Sequence, residues 1–347
     1  MNPVAWFADV GIADRPTVGG KGGSLGELTR AGIAVPGGFV ATTAAFELFL
    51  AGLEARESIR DKVEALDPHD LAAITALSQH LRARVMEEPM PPEVEAALTT
   101  AHAQLCADGQ PVAVRSSATT EDAEDASFAG LQDTFLWVLD AANMVARVRE
   151  CWGSMYSVES IAYRRRQHFP EAGVAMAVVV QRMVDAACAG VMFTRSPTTG
   201  DKSVITIEGA WGLGSAVVSG EVTPDKWVLG KITGEISSRE ISEKHARQVP
   251  AEGGGIVEVE NDPELRHAPC LTDAQLLGLR EVGRRVERHY GKPQDIEWAL
   301  DQAGAILLLQ SRPETVWSAR DASAPIAPKL DNPLHHVMGI FAGGARK

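Results

Sequence analysis

The stretch with the most chemical character is VAVRSSATTEDAEDASFAGLQDTF, residues 112–135. Arg115 ends a short apolar run and is followed by small and hydroxylated residues, then by carboxylates and a Ser-Phe-Ala-Gly turn. A guanidinium carries five donors in a rigid fork, which suits two-point contact with an oxyanion. The alternative is a strand that leads into a solvated loop, with Arg115 paired to Glu121 or Asp122.

A second candidate is the glycine-rich segment GGKGGS at residues 19–24. Glycines let backbone N–H groups approach a ligand closely, a helix N-terminus favours an anion, and Lys21 adds a point charge. The order differs from that of a Walker A loop, because the lysine precedes the last glycines. The segment therefore predicts an anion site, with a glycine-rich helix start that binds nothing as the alternative.

A third candidate combines QDIEWAL with LLLQSRPET near the end of the chain. Asp295 and Glu297 alternate with apolar residues, so both carboxylates face one side of a strand, and Gln310 and Arg312 share a face in the same way. If the two strands pair in antiparallel fashion, Glu297, Gln310 and Arg312 converge. They would offer oxygen ligands for Mg²⁺ beside a cation for phosphate. Ordinary cross-strand ion pairing is the alternative.

Other polar segments give weaker signals. Residues 208–225 are glycine-rich and flanked by carboxylates, but a bulged strand loop explains them equally well. The nine histidines are scattered without an H-E-x-x-H pattern. His335 and His336 lie in a loose tail, and we interpret them as structural or disordered.

The composition is that of an ordinary globular protein, with 347 residues of which 45% are apolar and 23% charged. No run approaches the roughly 18 apolar residues of a spanning helix, so no membrane partner is expected. The N-terminus lacks a basic leader before an apolar core, and we expect a cytoplasmic protein. The cysteines lie far apart without a C-x-x-C pair, which favours reduced thiols over zinc.

The net charge of −13 disfavours nucleic acid as a partner, because a nucleic-acid binder normally presents a basic surface. An anionic ligand would therefore be held by individual cations against an unfavourable overall field. This consideration gives weight to the lysine and arginines in glycine-rich settings.

Hydrophobic periodicity predicts helices in the first half of the chain. Segment 19–26 opens a helix that runs to about Arg30, a short strand follows at 39–42, and residues 43–106 are mainly helical. Residues 141–168 are predicted as one long helix, whose basic end suits a helix C-terminus.

Strands dominate the second half. Runs 174–184 and 189–196, joined by a short polar link, predict a hairpin. The remaining predictions are strand, glycine-rich loop and strand at 203–230, turns at 231–262, an amphipathic helix at 273–291, a strand pair at 294–313 and a peripheral tail from Ser318.

We therefore predict an α+β fold with two lobes. The expected bounds are a helix-rich N-terminal lobe at 1–180, a strand-rich C-terminal lobe at 181–317 and a tail at 318–347.

Three segments carry a resemblance to a known family: VRSSATTEDAEDASFAGLQDTF, AGVMFTRSPTTGD, and QDIEWAL with LQSRPET. Together with GGKGGS they resemble the ATP-binding part of the phosphoenolpyruvate synthase and pyruvate phosphate dikinase family, which also includes rifampin phosphotransferase and phenylphosphate synthase. The likeness runs from about residue 18 to 317. It implies an ATP-grasp fold with ATP between the two lobes.

The resemblance also implies roles for individual residues, by position. They are Lys21, Arg115 and Arg312 on ATP phosphates, Gly130, Thr134 and Phe135 in a lid, Gln181 on the adenine side, and Glu297 and Gln310 on Mg²⁺. Arg115 and Arg312 would carry the catalysis, since phosphoryl transfer depends on positioning and charge neutralisation.

Three segments depart from the family pattern. GGKGGS stands where the family usually shows GGKNAS, Leu131 stands where a second Gln is common, and Ser215 stands where Glu is usual. The extra glycines are expected to loosen the first loop, and Ser215 removes a carboxylate.

Family members usually continue into a swivelling domain with a phosphate-carrying histidine, and the chain stops about 30 residues after the ATP-binding module. We therefore expect a histidine-carrying subunit or domain supplied in trans. A divided enzyme is the arrangement of phenylphosphate synthase, which makes phenylphosphate, AMP and phosphate from phenol and ATP.

Two other functions stay open at this point. The chain is alternatively the ATP-binding part of a phosphoenolpyruvate synthase or of a rifampin-type antibiotic phosphotransferase. A non-catalytic ATP-sensing module is the third possibility, although a sensor has no need for metal ligands and transfer groups together.

Overall fold

The computed structural model describes residues 2–119, 122–123, 126–127 and 133–323. Residues up to Pro313 form one compact unit, and Glu314 begins a second. The predictions for Gly130 and for the tail histidines fall outside the described residues.

Strands and helices alternate in a mixed pattern, which confirms the α+β class. The strands are β1 (Val4–Trp6), β2 (Gly38–Ala41), β3 (Val112–Ala118), β4 (Asp122–Ala123), β5 (Ala126–Ser127), β6 (Thr134–Val138), β7 (Met176–Arg182), β8 (Ala186–Phe193), β9 (Val204–Trp211), β10 (Asp225–Gly230), β11 (Ile236–Glu240), β12 (Ala246–Pro250), β13 (Ile256–Glu260), β14 (Gln294–Asp301) and β15 (Ile306–Pro313). The helices are α1 (Arg15–Arg30), α2 (Thr43–Glu54), α3 (Ile59–Glu64), α4 (Leu71–Glu87), α5 (Pro92–Leu105), α6 (Ala141–Ser154), α7 (Val158–Arg166), α8 (Ser215–Ser219), α9 (Pro263–Arg266), α10 (Asp273–Tyr290) and α11 (Val316–Ser323). None of the helices in this described part of the chain is long and apolar enough to cross a membrane.

The first sheet has the strand order β1-β2-β7-β3-β6, with antiparallel neighbours throughout. One of its faces packs against helices in a large core, in which Phe46 and Phe49 of α2 surround the buried ring of Trp152 on α6. The other face is covered by α1, through a smaller cluster that includes Val18 and Val179. Burial on both faces explains the continuous apolar run of β7.

Helix α1 begins at Arg15, four residues earlier than GGKGGS predicts. It is kinked at Gly19, whose φ of 71° lies in the left-handed region that glycine tolerates best. A Cβ on Gly19 would lie 2.1 Å from the carbonyl oxygen of Ser117 on β3. The glycine therefore permits both the turn and the close approach of the helix to the sheet.

The second sheet has the order β11-β10-β9-β8-β14-β15 and is also antiparallel. Its core lies under α10, whose Thr272 cap and Gly291 terminus match standard helix signals. The buried ring of Trp298 on β14 reaches across Gly190 on β8 to Gly209 on β9, where an added Cβ would lie 2.9 Å from the ring. Gly209 therefore makes room for the tryptophan.

Two predictions, one about a helix and one about a strand pair, were wrong. The run 141–168 is interrupted, because the Ser157 side chain accepts a hydrogen bond from the Ser160 N–H and starts a new helix, α7. The runs 174–184 and 189–196 do not form a hairpin, since β7 belongs to the first sheet and β8 to the second. The short link 183–185 therefore joins the two sheets.

The polar region 231–262 contains strands rather than turns alone. β11 extends the second sheet, and β12 and β13 form a separate two-stranded ribbon. Their side chains are mostly half-exposed or exposed, so the alternation that reveals a half-buried strand is weak here. The predicted lobe boundaries at 180 and 317 stay predictions.

We predict that Gly190→Ala destabilises the second sheet. A Cβ at this position would lie 1.9 Å from the backbone oxygen of Glu208 on the neighbouring strand. Overpacking of this kind typically costs about 1–3 kcal/mol. Urea unfolding of Gly190→Ala and of a control, Gly253→Ala, which has no atom within 4 Å of the added Cβ, measures the difference. Equal stabilities for the two variants would contradict this account of the strand packing.

Candidate functional site

The Arg115 side chain on β3 connects the two sheets. Its Nη1 donates to the carbonyl oxygen of Leu309 at 2.9 Å, and its Nη2 donates to Glu297 Oε2 at 2.9 Å and to Gln310 Oε1 at 2.7 Å. The side chain is 11% exposed and that of Glu297 is 29% exposed. Arg115 therefore pairs with groups more than 180 residues away. Of the partners in the local alternative, Glu121 lies outside the described residues.

The predicted antiparallel pairing of β14 and β15 is present. Glu297 is opposite Gln310, and Asp295 is opposite Arg312, with 3.5 Å between Asp295 Oδ2 and Arg312 Nε. A bulge in β15 follows this pair, because the next residue of β14 pairs with Leu308. The bulge contains Leu309, whose carbonyl oxygen accepts from Arg115.

One face of the first sheet carries several predicted residues. Arg115 is in register with Thr134 on β6 and with Val179 on β7. Gln181 lies two residues further along β7, in register with β3. Since directly opposed residues and alternate residues share a face, Arg115, Thr134 and Gln181 lie on the same side. The cluster of Val18 with Val179 shows that α1 covers this side.

Lys21 is held close to this face by the contacts of its neighbours in α1. The Gly22 N–H donates to Ser117 Oγ at 3.2 Å, and Ser117 Oγ donates to the carbonyl oxygen of Val18 at 2.9 Å. Ser117 lies two residues after Arg115, so both cations are carried by segments fixed to the same strand. Lys21 itself is buried, at 9% exposure.

Gln181 is buried, and its amide donates to the carbonyl oxygen of Pro36 at 3.4 Å. Pro36 and Arg182 line a polar cavity of about 650 Å³ beside the link between β7 and β8. Arg182 forms hydrogen bonds there with Asp108 and Gln110. None of the predicted site residues that the structure describes lines this cavity.

Phe135 lies on the opposite face of the first sheet from Arg115. It pairs with Val114 and packs against the large core, and the Arg147 guanidinium lies 4.8 Å from the centroid of its ring. The structure therefore does not bring Phe135 to the face that carries the other predicted residues. The lid role given to Thr134 and Phe135 stays a prediction.

The second sheet presents an apolar surface next to Glu297. Ala299 follows Glu297 by two residues on β14, so the two share a face. Ala299 is in register with Ala189 on β8 and Leu307 on β15, and these three residues belong to one cluster. We call them the apolar row. It places two alanines and a leucine on the face of the sheet that carries Glu297.

The oxygens of Glu297 and Gln310 suit a divalent cation. Both contact the same nitrogen of Arg115, so the two oxygens already converge on one positive group. Mg²⁺ is usually held by one or two carboxylates together with substrate phosphates and water. Among the described residues no group of three or more His, Cys, Asp or Glu forms a closed metal site. The arrangement therefore fits a metal that arrives with a phosphate ligand.

The cysteines do not offer a reactive thiolate. All four are free, and three of them are buried. Burial is the main cause that raises the pKa of the Cys151 and Cys106 thiols. A hydrogen bond with Cys188, followed by burial, raises the pKa of Cys270. Their expected reduced state agrees with these positions.

Three groups that shape the site were not predicted from the sequence. They are the hydroxyls of Ser24 and Ser117 and the carbonyl oxygen of Leu309. The run of hydroxylated residues after Arg115 was a signal for Ser117, but its partner on α1 is a tertiary contact. The bulge that presents Leu309 has no signal in the strand pattern.

The chain matches the family described as pyruvate phosphate dikinase, AMP/ATP-binding domain, over residues 15–331. It is 42% identical over 316 residues to a probable phosphoenolpyruvate synthase of Methanothermobacter thermautotrophicus. The matched region covers 90% of the chain and 46% of that protein. It is also 42% identical over 308 residues to a rifampicin phosphotransferase of Streptomyces sp. That matched region covers 88% of the chain and 35% of the relative. The chain thus spans less than half of either relative.

A solved structure of N5-carboxyaminoimidazole ribonucleotide synthetase in complex with ADP is similar over 72% of this chain and 58% of its own, at 10% identity. Its TM-score is 0.27. The matches in sequence show the family: the chain belongs to the pyruvate phosphate dikinase AMP/ATP-binding domain family.

Proposed function

We propose that the chain is the ATP-binding part of a dikinase-type phosphotransferase that acts on Mg-ATP. The observation that carries the proposal is the contact of Arg115 with both Glu297 and Gln310. A guanidinium fork, which suits a phosphate, lies within hydrogen-bond distance of two oxygens that would suit a metal. Phosphoryl transfer requires this combination of cations and metal ligands around the reacting phosphates.

The proposed position of the ligand follows from the face of the first sheet that carries Arg115 and the face of the second sheet that carries Glu297. The phosphates would lie among Lys21, Arg115 and Arg312, and Glu297 and Gln310 would hold Mg²⁺. A metal bound there would neutralise charge on the phosphate oxygens. The adenine lies against Leu307, the partly exposed member of the apolar row, because Ala189 and Ala299 are buried. On this proposal Gln181 is on the adenine side, across from that row.

The proposed reaction uses ATP, a histidine imidazole and one water. Both phosphoanhydride bonds of ATP break. One phosphorus forms a bond to the imidazole nitrogen, which loses its proton, and the other is released as phosphate on the oxygen of water. AMP is the leaving group. Arg115 and Arg312 bind the phosphate oxygens and orient them, and they exchange no proton, because a guanidinium stays protonated.

The acceptor histidine is proposed to lie outside the described residues, on a further domain or on a separate subunit. The support is that the chain spans less than half of relatives named for phosphotransfer. Phenylphosphate synthase, with phenol as final acceptor, is the most specific form of this proposal. A phosphoenolpyruvate synthase or an antibiotic phosphotransferase would use the same ATP site with a different acceptor.

A non-catalytic ATP sensor is the remaining alternative. It is less well supported, because Arg312 shares a face of β15 with Gln310, and its side chain is 48% exposed although it pairs with Asp295. A sensor needs affinity for the nucleotide but no second guanidinium at the reacting phosphates. Measurement of AMP formation with candidate histidine-domain proteins separates these two functions.

The first prediction is that the chain binds ATP at least about tenfold more tightly with Mg²⁺ than without it, which corresponds to about 1.4 kcal/mol. Glu297→Gln should abolish most of this difference, since an amide oxygen still accepts from Arg115 but binds the metal weakly. Isothermal calorimetry with and without Mg²⁺ measures both affinities. Glu93→Gln, an exposed substitution on α5, is the control. Binding that ignores Mg²⁺ would contradict the metal assignment.

The second prediction concerns transfer. Arg115→Ala should lower AMP formation with candidate histidine-domain proteins by about 10²–10³-fold, as for the loss of one preorganised donor. Arg115→Lys should restore little activity, because a point charge cannot replace the two-point fork. Chromatography of labelled ATP products, together with an acid-labile phosphate on the partner, measures the transfer.

The tail histidines provide the control for the acceptor. His335→Ala and His336→Ala should leave AMP formation unchanged. A fully active Arg115→Lys variant would return Arg115 to a structural role. Radiolabel retained by the isolated chain on either tail histidine would place the acceptor on this chain instead of on a partner.

A further inference from the structure

We propose that Ser24 is a positioning residue that couples the lysine-bearing helix to the strand that carries the metal and phosphate groups. This role rests on the proposed function, because its effect is on Mg-dependent binding of ATP. Ser24 is the last residue of GGKGGS and contacts none of the groups assigned to the ligand. It acts through the backbone of β15.

The contact itself joins two distant segments. Ser24 Oγ donates to the carbonyl oxygen of Ser311 at 2.6 Å, and the two serines are 4% and 3% exposed. Ser311 lies on β15 between Gln310 and Arg312. A shift of this carbonyl therefore moves a proposed metal ligand on one side and a proposed phosphate ligand on the other.

A chain of buried hydrogen bonds continues from this contact into the second sheet. Ser311 Oγ donates to Gln294 Oε1 at 2.9 Å on β14, and the Gln294 N–H donates to Thr194 Oγ1 at 2.8 Å. The Thr194 N–H returns a hydrogen bond to the Gln294 carbonyl oxygen at 2.9 Å. Because buried polar groups are costly to leave unpaired, each link holds the next in place.

The other end of the segment is fixed to the first sheet. Ser117 on β3 donates to the carbonyl oxygen of Val18 and accepts from the Gly22 N–H. Lys21 thus lies between two anchors, with Ser117 on the strand of Arg115 and Ser24 on the strand of Gln310. The serines place this lysine relative to both sheets at once.

The importance of Ser24 rises when the ligand binds. Arg115 ties β3 to β14 through Glu297, and to β15 through Gln310 and the carbonyl oxygen of Leu309. On the proposed function, Mg²⁺ and phosphate take over the groups of Glu297, Gln310 and Arg115. The Ser24 contact involves no ligand group, so it persists and holds β15 in a fixed position relative to α1.

The test compares Ser24→Ala with a matched control, Ser78→Ala. Ser78 is 3% exposed, and its hydroxyl donates to the carbonyl oxygen of Tyr156 at 2.7 Å, far from the site. Both variants should lose comparable stability in urea, since each loses one buried hydroxyl bond to a backbone oxygen. Ser24→Ala alone should weaken ATP binding in the presence of Mg²⁺ by up to about tenfold, the loss of one hydrogen bond, with little change in its absence.

The outcomes are distinct. An unchanged Mg²⁺ dependence in Ser24→Ala, or an equal loss in Ser78→Ala, would show that the contact is only structural. If Ser24→Ala does not fold, Ser24→Cys keeps a weaker donor and should show a smaller loss in the same direction, and full Mg²⁺ dependence in that variant would overturn the role. Absence of Mg-dependent ATP binding in the unaltered chain would count against the proposed function itself.

Discussion

The arrangement of the site depends on one interaction, the three hydrogen bonds of the Arg115 guanidinium across the two sheets. Arg115 is carried by the first sheet, and all its partners belong to the second. Because a guanidinium cannot lose its charge in a protein, a partly buried position requires acceptors. The carboxylate of Glu297, the amide of Gln310 and a bulged carbonyl supply them. The same three acceptors fix where the oxygens of the second sheet stand relative to the first.

Small residues make the close approach of these elements possible. Gly19 lets α1 turn against β3, Gly190 lets β8 lie close to the backbone of β9, and Gly209 leaves room for the Trp298 ring. That ring lies directly behind Glu297, on the opposite face of β14. The polar side of the strand is thus supported from behind by a fully buried aromatic side chain. Function on one face and packing on the other face of β14 constrain each other.

Much of the site could be predicted from sequence, because alternation along a strand reports which side chains share a face. The pairing of Glu297 with Gln310 was predicted on this basis, and the register of β14 with β15 confirms it. The hairpin predicted from the runs 174–184 and 189–196 was wrong, because a short polar link looks the same whether the strands on either side pair or enter different sheets. Residues 231–262 were misassigned for a related reason, since exposed polar strands lack an apolar face. Contacts such as Ser24 with Ser311 arise only when distant segments meet.

Within the cleft, the charges of Arg115 and Glu297 already balance each other. A bare metal ion approaching the carboxylate meets the guanidinium, and a bare phosphate approaching the guanidinium meets the carboxylate. On the proposed function, a metal–nucleotide complex brings both signs together, so each group exchanges one partner for another. The complex still carries a net negative charge, because Mg²⁺ neutralises only part of the charge of ATP, and the cations Lys21 and Arg312 would offset the remainder. In a chain with a net charge of −13, selection of the complex over its separate parts then results from these local ion pairs rather than from attraction by the overall charge of the protein.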